Sequence, residues 1–103
     1  MNQLFSALVL APAMLASVSA KASSELAQQK NCMACHAVGQ KFAGPAFKDV
    51  AGRYANQSGA WEMLAERNRK GGVGTWGAIL MPPNPQVNAE EARQLAQWVL
   101  SLK

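Results

Sequence analysis

The sequence is short of polar chemistry. It has one histidine, two cysteines and one tyrosine among 103 residues, and only 16% of its side chains are charged. Two cysteines and one histidine cannot complete a four-ligand zinc site. No apolar run approaches the roughly 20 residues of a spanning helix, and no segment alternates apolar and polar residues as a half-buried strand does. Ser-His-Asp sets, paired carboxylates and glycine-rich phosphate loops are missing, which leaves hydrolytic and phosphoryl-transfer chemistry without residues to perform it. Ten Lys and Arg against six Asp and Glu leave a formal charge of +4. No basic run is interleaved with aromatics, so nucleic acid is not an expected partner. There is no internal repeat and no low-complexity tract, and the length allows one domain with a modest core.

What is present begins with an address. Leu4 to Ala16 is an apolar core of signal-peptide length, and the small residues Ser17-Val18-Ser19-Ala20-Lys21-Ala22 follow it. Residues 1–20 are expected to be a cleaved secretory signal and residues 21–103 the mature domain. Ala22 meets the same small-residue requirement for cleavage as Ala20. The expected location is the periplasm.

Both cysteines and the histidine fall within five positions, Cys32-Met33-Ala34-Cys35-His36. Cys-x-x-Cys-His is the attachment signature of a c-type haem, in which each thiol adds to a vinyl group and the histidine binds iron. The same cysteine pair in a thioredoxin-like redox motif wants a βαβ pattern, and none is present.

The mature chain reads as short helices separated by turns. Ser23 or Ser24 is expected to cap a first helix that ends near Lys30. Pro45 is expected to open a second at its first position, with Phe47, Val50, Ala51 and Tyr54 on one apolar face. A third is expected from near Ser58 to Gly71, with Trp61, Leu64 and Ala65 inward. The last carries a capping box, Asn88 with Glu91, and an inner face of Ala92, Leu95, Ala96, Val99 and Leu102 with Trp98 at its edge. The expected fold is all-α, about four short helices packed around one covalently attached haem c. Between the last two helices, Gly71 to Val87 is a long loop with four glycines and three prolines, a length that calls for a function.

A low-spin electron-transfer haem needs a second axial ligand, and methionine is the usual partner of histidine in cytochromes c. Met1 and Met14 belong to the signal segment, Met33 is inside the attachment loop, and Met63 is within the third helix. Met81 precedes Pro82-Pro83, which stiffen the backbone in an extended form, and it is the expected ligand.

The segments CMACH, AGPAFKDVAGRYA, GTWGAILMPPN and EEARQLAQWVLSLK resemble the small bacterial class I cytochromes c of the cytochrome c-551 type, over essentially the whole chain after Ala20. The resemblance implies a class I cytochrome c fold and a soluble one-electron carrier, not an enzyme, with His36 and Met81 as axial ligands. It also implies that the Pro45 carbonyl accepts a hydrogen bond from His36, that Trp76 and Arg67 reach a haem propionate, and that Asn84 steadies the methionine sulfur. The residues themselves leave other roles open: Trp76 as packing in a glycine loop, Arg67 as a solvated helix charge, Asn84 as a turn residue. Leu80 stands where many relatives have proline, and the segment Asn84 to Asn88 is one residue longer.

The expected function is to shuttle electrons from a membrane cytochrome complex to a terminal reductase, peroxidase or oxidase, as a monomer. The alternative is a haem sensor or enzyme with an open iron position. Electrons are expected to leave at the thioether edge, surrounded by Met33, Ala34, Ile79, Pro82 and Pro83.

Overall fold

The computed structural model describes residues 20–103; the expected signal segment lies outside them apart from Ala20. The elements in order are α1 (Ala20–Gln29), a single 3-10 turn (Cys32–Ala34), α2 (Phe47–Tyr54), α3 (Ala60–Lys70) and α4 (Ala89–Ser101). Among the described residues extended pairing is confined to two isolated bridges, so the fold is all-α.

Helix α4 is the spine, packing against each of the other three. Its start is written in the sequence: the Asn88 side chain accepts from the Glu91 amide at 2.8 Å, and Glu91 Oε1 accepts from the Asn88 amide at 3.1 Å. This reciprocal box satisfies two amides that the helix cannot use. Its inner face buries Ala92, Leu95, Ala96, Trp98 and Val99. Trp98, expected at the edge, is buried and meets Phe47 edge to face at 5.5 Å, because two helices converge on that side. Leu102 lies just past the helix end and is half-buried.

Helix α1 departs from the expected start. Ser23 and Ser24 lie inside it, and Ser23 is buried together with Ala27 four residues on. These small side chains share the face of α1 that is buried, so tertiary burial outweighs the capping preference of serine. The helix is ended instead by Asn31, in the left-handed conformation at φ 65°. Asparagine tolerates that region better than most residues.

Helix α2 also differs. Pro45 precedes the N-cap Ala46 and does not occupy the first helical position. No side chain caps this helix. Phe47 and Lys48 instead donate their backbone N–H groups to the carbonyls of Ala37 and Val38, at 2.9 and 3.0 Å. The strand of chain that leaves the histidine therefore caps the helix, and the Pro45 carbonyl is left for another partner. Phe47, Val50, Ala51 and Tyr54 are all buried.

Helix α3 begins at Ala60, behind Gly59. Ala60 is its buried residue, while Trp61, Leu64 and Ala65, expected inward, are half-buried. Met63, Leu64 and Ala65 lean on the core. The inner face of α3 has two duties: part of it supports the core and part, including Leu64, lines a cavity.

Lys30, at the end of α1, bonds to Glu91 Oε2 and to the Gln86 carbonyl, each at 3.1 Å. The Asn88 backbone N–H, and then Lys30, hold the Glu91 carboxyl below the usual carboxylate range. The start of α4 thus joins α1 to the end of the long loop. Asn88→Ala is expected to cost about 1 kcal/mol of stability and to lower the thermal midpoint by roughly 4–8 °C, measured by circular dichroism on the holoprotein, with its visible spectrum unchanged.

Candidate haem site

A cavity of about 360 Å3 opens between α2, α3, α4 and the two long connections. Cys32, Cys35 and His36 line it, and so does Met81. Met33 and Met63 do not; both pack against the core.

The cysteines reach it through a tight turn. The Cys32 carbonyl accepts from the amides of both Cys35 and His36, at 3.2 and 3.0 Å. That closure follows directly on the left-handed Asn31, so the end of α1 is converted into a bend that presents both sulfurs. Neither cysteine is in a disulfide. Burial pushes the Cys32 thiol up, the reverse of the depressed value that activates a thioredoxin-like nucleophile.

The imidazole of His36 is held on three sides. Nδ1 lies 2.8 Å from the Pro45 carbonyl oxygen. A carbonyl only accepts, so Nδ1 carries the hydrogen and Nε2 keeps its lone pair. Phe47 stacks on the ring at 4.7 Å and 19°. On Gly44 a Cβ would fall 2.5 Å from His36 Cε1, so the histidine lies where only glycine leaves room. The sequence reading passes over Gly44 and takes Phe47 only as part of the apolar face of the second helix; the available signal was the Gly-Pro pair ahead of that face.

Met81 is set by the loop that carries it. Gly72 and Met81 exchange both backbone hydrogen bonds, at 3.0 and 2.8 Å. Gly71, at φ 73°, ends α3 and lies so close that a Cβ there would meet the Met81 carbonyl at 2.4 Å. The loop has its own small ladder, which ties the methionine to the last turn of α3.

Arg67 lines the cavity and donates to Thr75 Oγ1 at 3.2 Å. Arg53, on α2, donates to the Thr75 carbonyl at 2.9 Å and places its guanidinium 4.6 Å from the centre of the Trp76 ring. Tyr54 meets the same ring edge to face at 6.4 Å. Two guanidinium groups therefore grip Thr75, and Trp76 is held from α2 by a cation and an aromatic edge. In the sequence Arg53 reads only as one of several scattered charges, because a partner 22 positions away leaves no local pattern.

Asn84 also lines the cavity. Its side-chain bonds run to the carbonyls of Asn68 and Pro82, at 2.8 and 3.4 Å, and it accepts from Gln86 at 3.1 Å. None of these reaches the sulfur. Asn68 Oδ1 is buried without a partner, an arrangement that costs about 1–3 kcal/mol. At the rim, Ala34, Ile79 and Pro82 are exposed lining residues. Met33, expected there, is half-buried on the core.

The donor set suits a haem. Two thiols, one imidazole with a free lone pair and one thioether face a space walled by Val50, Leu64, Leu95 and Val99, with Arg67 as the cation for acidic groups. No group of three His, Cys, Asp or Glu converges on a metal site among the described residues.

Comparison with known proteins agrees. The cytochrome c family profile matches residues 20–103. Cytochrome c-552 of Hydrogenobacter thermophilus is 51% identical over 82 residues, 80% of this chain and 83% of that protein. Cytochrome c-551 of Pseudomonas aeruginosa is 53% identical over 78 residues, 76% of this chain and 74% of that protein. The crystal structure of Nitrosomonas europaea cytochrome c552 superposes with a TM-score of 0.76 at 46% identity, covering 78% of this chain and 99% of that one. With its helices, cavity and paired thiols arranged in this way, the chain belongs to the cytochrome c family, as a small monohaem class I cytochrome with one haem c bound covalently at Cys32 and Cys35.

Proposed function

We propose that this electron-carrying cytochrome works in the periplasm as a monomer, with His36 and Met81 as its iron ligands, after cleavage of residues 1–20 from the domain 21–103. The observation that carries the ligand assignment is that His36 and Met81 line one cavity while Met33 and Met63 pack elsewhere. The haem supplies a one-electron ferric/ferrous couple; the chain decides where it lies and how readily it is reduced.

His36 offers Nε2, and the Pro45 carbonyl fixes the ring and makes that nitrogen a better donor. Met81 offers a neutral thioether, a weak donor that favours the ferrous state. Apolar walls push the same way, since burial disfavours the extra positive charge of ferric iron. Arg67 and Trp76 are the residues proposed for the propionates, with Thr75 keeping Arg67 in place, and Asn84 for the sulfur after rotation of its amide. Iron held by both His36 and Met81 would have no position left for a substrate, which supports a carrier over a sensor or enzyme. Little has to move when one electron is gained. The proposed donor is a membrane cytochrome complex and the proposed acceptor a terminal reductase, peroxidase or oxidase, docking at the apolar rim of Ala34, Ile79, Pro82 and Pro83 through a small, transient contact.

Met81→Ala is expected to abolish the far-red sulfur-to-iron band and to admit cyanide, with a fall in reduction potential, where 59 mV is a tenfold change in equilibrium. Met63→Ala is expected to keep the band. A band that survives in Met81→Ala refutes the ligand assignment, and a high-spin ferric spectrum in the parent favours the sensor or enzyme.

Gly44→Ala drives a methyl group into the imidazole. The cost expected for such overpacking is about 1–3 kcal/mol, read as a lower thermal midpoint together with reduced holoprotein yield. An unchanged midpoint would show that the ring has room to move.

Ala34→Lys is expected to slow electron transfer to a natural acceptor severely, while the parent's rate falls only gently as salt rises. A steep salt dependence with an indifferent Ala34→Lys would assign docking to a basic patch.

A further inference from the structure

Between Gly72 and Met81 the chain forms a flap. Its neck is the pair of backbone hydrogen bonds that Gly72 and Met81 exchange, at 3.0 and 2.8 Å, and the neck is fixed to α3 by the Gly71 N–H, which donates to the Arg67 carbonyl at 2.8 Å. Its tip is a turn in which the Gly74 N–H donates to the Gly77 carbonyl at 3.0 Å, with Thr75 and Trp76 inside it. Val73, Thr75, Trp76 and Leu80 line the cavity together with Met81, so the flap is one wall of the site.

The tip is fastened to two helices. On the α3 side Arg67 donates to Thr75 Oγ1 at 3.2 Å. On the α2 side Arg53 donates from Nη1 to the Thr75 carbonyl at 2.9 Å, and the same guanidinium lies 4.6 Å from the centre of the Trp76 ring. Its neighbour Tyr54, buried in the last turn of α2, meets the edge of that ring at 6.4 Å. One side chain therefore holds two successive residues of the tip. Arg53 is exposed, and it does not line the cavity as Arg67 does. Its two contacts exist only while the tip lies on α2, so their loss moves the flap in one direction, toward opening.

We propose that Arg53 is the latch of the Met81 flap: by holding Thr75 and Trp76 against α2 it keeps this wall of the site closed and keeps foreign donors off the iron. A ligand that replaces the Met81 sulfur needs room beside it, and the flap occupies that room. To make way, the flap turns at its neck and its tip leaves α2. Arg53 touches neither iron nor sulfur, so it is a positioning residue. The proposal rests on the His36 and Met81 reading.

The test is titration of the ferric holoprotein with imidazole at about pH 8, where free imidazole is mostly neutral, followed through loss of the far-red band. Arg53→Met keeps the length of the side chain and removes its donors and charge. Lys48→Met removes the same charge from an exposed position on the same helix. Arg53→Met is expected to bind imidazole roughly tenfold more tightly than the parent, the loss of a charged hydrogen bond and a ring contact, with its far-red band present before imidazole is added. Lys48→Met is expected to match the parent. A general loss of stability lowers the thermal midpoint but leaves this affinity where it was, because imidazole binds the folded protein. Equal or weaker binding in Arg53→Met overturns the proposal, as does an equal rise in Lys48→Met. A band already missing in Arg53→Met alone, with helical circular dichroism unchanged, is the expected result carried to its limit. Should Arg53→Met fail to mature, Arg53→Ala decides by the same criteria. A parent without the band refutes Met81 as ligand and the latch with it, whereas a parent with the band and an unchanged Arg53→Met refutes the latch alone.

Discussion

The imidazole of His36 is trapped between the Pro45 carbonyl, Gly44 and the face of Phe47. Each of these contacts belongs to a different requirement of the fold. Pro45 has no role as the first residue of α2, so its carbonyl is free to receive the Nδ1 hydrogen. Gly44 lets the backbone come against the ring. Phe47 opens α2 and also meets Trp98 of α4, so the spine of the protein extends through two aromatic rings to the histidine. The amides of Phe47 and Lys48 are capped by the residues just after His36, which ties the start of α2 to the segment that carries the histidine.

The opposite ligand is positioned by different means. Histidine is held by packing and one strong hydrogen bond, whereas Met81 sits on a loop with no helix of its own. A loop loses conformational entropy when ordered, and here several weak links offset that loss. Gly72 pairs with Met81, Arg67 and Arg53 share Thr75, and Trp76 lies under the Arg53 guanidinium. At the far end, Lys30 and Gln86 exchange hydrogen bonds, joining the loop to α1 close to the cysteines.

Short-range patterns were readable. The alternation of apolar positions at three and four residues marked the buried faces of α2 and α4, because helical periodicity depends only on backbone geometry. The Asn88 and Glu91 pair marked the start of α4 for the same reason. Where tertiary packing competed, local preference lost. Ser23 is buried inside α1, Trp98 is buried and not marginal, and Leu64 turns to the cavity. These outcomes depend on which helix lies opposite, and a single helix carries no record of its neighbour.

The sequence by itself determined the chemistry available: two thiols and a histidine at attachment spacing, a methionine ahead of two prolines, and four short helices to surround them. Spacing within five residues is a covalent fact, and so it survives without a fold. Only the tertiary structure decided that Met81 would line the cavity while Met33 and Met63 pack against the core, and that Arg53 would reach across 22 residues to Thr75. Those are relations between segments distant in the chain, and they exist only once burial of the apolar faces on α4 has brought the segments together.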